Sequence, residues 1–60
     1  MTPGTYRPTR PGWHDRVVTH VSDTAVTFHF VDRPDRTIAD PPEVFRVWCE
    51  VAGAVLEDAA

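Results

Sequence analysis

The side chains able to do chemistry in this chain are three histidines, one cysteine and six arginines, with no lysine. His14, His20 and His29 invite a metal ion, because neutral imidazole is a common metal ligand. Their spacing argues against one. His20 and His29 fall on two adjoining β-rich runs, several residues out of pairing. That places them roughly 10 Å or more apart, whereas ligands to one ion sit about 2 Å from it. Cys49 with His14 or His29 can be drawn as a nucleophile and base, but no third group orients the pair. His14 and Asp15 are sequence neighbours and would point to opposite sides of a strand. Ser22, the only serine, lies in a turn signal, and Gly4, Gly12 and Gly53 are too scattered to cradle a phosphate. The sequence therefore predicts no enzyme, no metal and no cofactor, and leaves recognition.

Recognition has two candidate surfaces. In the N-terminal arm, Tyr6, Arg7, Arg10 and Trp13 set cations among aromatics, as segments that touch nucleic acid do. The simpler expectation is a solvated lead-in that packs one aromatic onto a sheet. Trp13 is expected as a lid over the end of the core, with a binding hot spot as its alternative. The second surface is the polar side of a hairpin, carrying Arg16, His20, Thr27 and His29. Tyr6, Trp13 and Val18 are the apolar anchors expected for a protein partner, with the arginines on the rim.

Composition narrows the choice. The net charge is −3, which disfavours general nucleic-acid binding. The charge is uneven: residues 32–60 hold three arginines against seven acids. Sixty residues make one domain at most, marginal alone. Cys49 has no partner for a disulfide, so it reads as a small buried hydrophobe in a reducing compartment. The N-terminal stretch lacks the apolar core of a signal peptide and nothing approaches a membrane span, so the sequence predicts a soluble cytoplasmic protein without a membrane partner.

The elements that must position these residues are legible in outline. Residues 1–12, with three prolines and two glycines, predict an extended arm, with Tyr6 and Arg7 as a short edge strand. Residues 13–60 predict a single α+β domain: a small three-stranded antiparallel β-meander covered by a C-terminal helix. Val17–Val31 reads as a hairpin turning at Ser22 and Asp23. Given an even loop of two or four residues, Val17, Thr19, Val21, Val26, Phe28 and Phe30 share the inner face. Asp32-Arg33-Pro34-Asp35 is a turn signal, followed by a short strand at 36–39. Ile38 should face the core with Phe30, which requires an odd connection. The expectation is residues 32–36, with Val31 opposite Thr37.

Asp40 is the expected helix cap, Pro41 the first helical residue, and Glu43 completes a box-like spacing with Asp40. Val44, Phe45, Val47, Trp48, Val51, Ala52, Val55 and Leu56 then fall on one half of a helix. A strand through Val47–Val51 is the competing reading. Gly53 is a natural stop, leaving 54–60 frayed. Eight apolar residues on one helix exceed what three short strands hide, so a homodimer is expected.

Trp13-His14-Asp15-Arg16-Val17-Val18, then Val26-Thr27-Phe28, then Val44-Phe45 and Trp48, resemble the rhythm of small phage- and prophage-encoded proteins of unknown function with miniature SH3-like barrels. The resemblance covers about residues 6–52 and rests mostly on core positions; the longer C-terminal helical pattern departs from it. It implies an SH3-like or partly open meander and a phage or mobile-element accessory protein, acting in the host cytoplasm. It carries over no site residue. The functional expectation is a small non-enzymatic protein-binding module that modulates a host or defence protein. The alternative is a DNA-binding domain using the polar sheet face and the arm.

Overall fold

The computed structural model describes residues 1–57. In chain order it holds strands β1 (Gly4–Arg7), β2 (Arg16–Val21), β3 (Val26–Phe30) and β4 (Ile38–Asp40), helix α1 (Pro42–Ala52) and strand β5 (Val55–Glu57). The α+β class and the C-terminal helix match the sequence reading; the strand number does not. Five strands, not three, form one antiparallel sheet in the order β4-β3-β2-β1-β5. Both additions come from stretches with weak local signals. Gly4–Arg7 does form a strand, but it is interior, paired with β2 on one side and β5 on the other. Val55–Glu57, expected on the helix or frayed, instead forms the edge beside β1. Residues 58–60 of that stretch lie outside the described residues.

The central hairpin has the four-residue loop that parity allows. Ser22 N donates to Ala25 O at 2.9 Å, and Ser22 Oγ accepts from the amides of Thr24 and Ala25. The inward set is different, however. A β-bulge interrupts the pairing between Val18 and His20. Val18 and Val21 are three residues apart, so an unbroken strand would turn them to opposite faces. The extra residue, Thr19, lets both face the core while Thr19 and His20 stay in solvent. Val18 lies opposite Phe28 and Arg16 opposite Phe30, so Arg16 and Val18 point inward where Val17 and Thr19 were expected.

The β3–β4 connection is 31–37, two residues longer than the expected 32–36. Two successive turns fill it: Arg33 N bonds Phe30 O at 3.0 Å, and Arg36 N bonds Arg33 O at 3.1 Å. The length stays odd, so Ile38 packs against the core as expected, opposite Phe28.

Helix α1 replaces the strand alternative at Val47–Val51. Its N-cap is Pro41 with Pro42 following, and no side chain caps it. Asp40 belongs to β4, and its carboxylate turns to Arg16 at 3.9 Å instead of to the helix amides. Gly53 ends the helix as expected, in the left-handed region at φ 61°. Ala54 N bonds Cys49 O at 2.8 Å and Gly53 N bonds Glu50 O, satisfying carbonyls of the last turn. Phe45, Trp48 and Ala52 are the helix residues buried against the sheet. Phe45 sits at the centre, with ring centroids 5.5 Å from Tyr6, 5.4 Å from Phe28 and 5.3 Å from Trp48. Tyr6, Val18 and Val26 complete the buried set.

Candidate functional site

Two loops meet at one end of the sheet. The first, between β1 and β2, contains Arg10-Pro11-Gly12-Trp13. Pro11 at the second position and Gly12 at φ 91° at the third suit a type II turn, whose third residue requires positive φ. The turn delivers Trp13, His14 and Asp15 just ahead of β2. The second loop begins with the Phe30–Arg33 turn, which holds Val31 and Asp32 at its centre. His14 packs edge-on against Phe30, with ring centroids 6.2 Å apart, and so ties the first loop to the root of the second.

Between them lies an open groove of about 260 Å³ lined by Trp13, His14, Asp15, Val31 and Asp32. Trp13 is 43% exposed and Val31 56% exposed, so the tryptophan is not the lid over the core that its position suggested. Tyr6 closes the core instead. Its ring packs on Phe45 and its hydroxyl donates to Thr2 O at 2.6 Å.

The other expected contact residues are dispersed. Tyr6 and Val18 are 8% and 2% exposed, so neither can anchor a partner in the folded protein. Arg7 is exposed but faces two acids, Asp15 at 4.0 Å and Glu57 at 3.6 Å. Arg10 reaches the far end of helix α1. Its Nη1 donates to Val51 O at 2.8 Å, while Thr9 N and Arg10 N both bond Ala52 O. Thus the arm supplies the cation that the last turn of α1 lacks. A larger groove, of about 340 Å³, is lined by Arg7, Pro8, Thr9, Val55 and Glu57, but its only cation is already engaged by acids.

Arg16 departs furthest from expectation. Its guanidinium carbon lies 4.0 Å from the Trp48 ring centroid, 4.6 Å from that of Phe28, and 5.6 Å from those of Phe30 and Phe45. From its place opposite Phe30 the side chain crosses Phe28 toward Asp40, which β4 sets opposite Val26. Burial lowers its pKa from the ordinary arginine value, with the Asp40 carboxylate opposing that effect. The group stays charged, as arginine does in proteins. Its Nε is buried without a hydrogen-bond partner among the described residues. The cation therefore serves the core and not a surface.

His20 and His29 do share the outer face: His20 is opposite Thr27, and His29 is opposite Val17. His29 Nδ1 lies 2.9 Å from Phe30 O, which holds its ring to its own strand. No cluster of three potential metal ligands occurs among the described residues. Cys49 is partly buried against the core, and burial raises its thiol pKa, with Arg16 opposing and Glu50 reinforcing.

Of the expected contact residues, only Trp13 lines the groove. Asp15, Val31 and Asp32 are not among the contact residues expected from the sequence. The signal available was the Asp32-Arg33-Pro34-Asp35 turn, which marks a protruding loop but does not say which other loop it faces. Compared with known protein families, curated proteins and solved structures, the chain matches none.

Proposed function

We propose that this chain is a small non-enzymatic binding module for another protein, with the groove around Trp13 as its contact site. The observation that carries the reading is an indole left 43% exposed beside Val31, on two loops held by turns. A large rigid aromatic gives contact area at little entropic cost, and tryptophan is enriched among residues that dominate interface energy. The resemblance to phage-encoded proteins adds a setting, in which the partner is a host or defence protein in the cytoplasm. Affinity capture from the native host tests the reading. A partner should be recovered with the parent protein and with His20→Ala, and lost with Trp13→Ala while the fold is retained. Equal recovery with Trp13→Ala would remove the groove from the function.

A second copy of the chain is also part of this proposal. Val44, Val47 and Val51 fall on one side of α1 and are 53%, 58% and 46% exposed. Sedimentation equilibrium at micromolar concentration should give about twice the monomer mass of 6.7 kDa. A monomer under those conditions ends the dimer reading without touching the groove.

A further inference from the structure

The chemistry of the groove says what enters it. Besides Trp13, His14 and Val31, the acidic residues Asp15 and Asp32 line it, and neither arginine nor lysine does. Asp32 forms no ion pair among the described residues. Asp15 meets Arg7 only at 4.0 Å, with both side chains well exposed, an arrangement that contributes little. An aromatic face beside carboxylates is complementary to a cation, and most of all to a planar guanidinium. That group stacks on indole and donates in a fork to a carboxylate.

The chain already makes this arrangement once inside itself. Arg16 lies 4.0 Å from the Trp48 ring centroid, with Asp40 at 3.9 Å. On the surface, Trp13 with Asp15 and Asp32 displays the same two groups with no arginine of this chain among the lining residues. The net charge of −3 favours the approach of a basic surface.

We infer that the groove receives an arginine side chain from a basic segment of the partner protein. The inference rests on the reading of the groove as the contact site and specifies its occupant.

The test is a titration of the ¹⁵N-labelled full chain, followed by amide and indole N–H shifts. The probes are N-acetyl-arginine amide and its uncharged citrulline counterpart. The arginine probe should shift the Trp13 indole N–H and the amides of His14, Asp15 and Asp32. Its affinity should exceed that of citrulline by about tenfold, and the gap should narrow as salt is raised. Asp32→Asn should weaken the arginine probe and leave citrulline unchanged. Trp13→Ala should abolish the local shifts, with the rest of the spectrum reporting that the fold is intact. Equal response to both probes, or shifts centred away from the groove, would overturn the inference. So would capture of a partner that needs Trp13 but is indifferent to Asp32→Asn. That last result would still leave the groove as the docking site, whereas capture indifferent to Trp13 would sink the broader proposal as well.

Discussion

Arg16 carries the clearest test of how this small core works. It is a charged residue surrounded by four aromatic rings, with one carboxylate at 3.9 Å. Its side-chain exposure is only 15% while that of Asp40 is 29%, so the pair is neither freely solvated nor sealed. Truncation in Arg16→Ala removes the packing of the stem as well as the cation, and should cost about 2 kcal/mol in urea unfolding. Arg16→Met keeps an apolar stem of similar length, and the released Asp40 retains access to water. It should stay within about 1 kcal/mol of the parent. If methionine proves as damaging as alanine, the charge matters more than the filling. Cys49 makes a second prediction at this scale. Because burial raises its pKa, the thiolate fraction at mildly alkaline pH is smaller than for a free cysteine. Alkylation by iodoacetamide at pH 8.5 should be slower than for free cysteine, and its rate should go on rising at pH values where that of free cysteine has levelled off. A rate equal to that of free cysteine would contradict the burial argument.

Among the elements, helix α1 depends on what caps it and on what it covers. Gly53 adopts φ 61°, and a Cβ there would collide with Thr9 Oγ1, the same hydroxyl that donates to Gly53 O at 2.7 Å. Gly53→Ala therefore adds left-handed strain and disturbs the clasp from the β1–β2 loop. A loss of about 1–2 kcal/mol is expected from thermal melts. An unchanged melting temperature would mean that the clasp adapts without cost. On the buried side, Trp48 is 7% exposed and packs on Phe45 and Arg16. Trp48→Ala should cost about 3–5 kcal/mol, close to the whole stability of a domain this size. Its far-ultraviolet circular dichroism at room temperature should be that of an unfolded chain. A cooperative melt near that of the parent would show that the helix is held by other contacts.

For the molecule as a whole, the question is which class of partner its charge admits. A DNA-binding surface would draw on Arg7, Arg10 and Arg16, yet all three are engaged: with Asp15 and Glu57, with Val51 O, and with the aromatic core. The net charge of −3 also opposes approach to a polyanion, most strongly within a Debye length of about 10 Å at 0.1 M salt. Duplex affinity should be no tighter than roughly micromolar at about 150 mM salt. A mobility-shift assay with genomic fragments of the native host measures it. A sequence-specific shift at nanomolar protein, abolished by Arg7→Ala or Arg10→Ala, would favour DNA over a protein partner.

What the residues determine by themselves is local. Alternation in Val26, Phe28 and Phe30, the turn at Ser22 and Asp23, helical spacing through Phe45, Trp48 and Ala52, and Gly53 as a stop are each written within a few positions. The odd connection that turns Ile38 inward follows from parity alone, although its length does not. Tertiary packing decided the rest. The Thr19 bulge exists because Val18 and Val21 must both reach a core whose depth is set by α1, a requirement absent from β2 considered alone. Asp40 suits a helix cap, but once Arg16 lies among the rings, its carboxylate is the counter-charge near at hand. Val55–Glu57 is too short to announce itself as a strand, and it pairs with Gly4–Arg7 across nearly the whole chain, which turns the edge strand expected at Tyr6 and Arg7 into an interior one. The groove belongs to the same category. Trp13 and Asp32 are far apart in sequence and each reads as an ordinary loop residue, and it is the pairing of β2 with β3 that brings their loops to one end of the sheet.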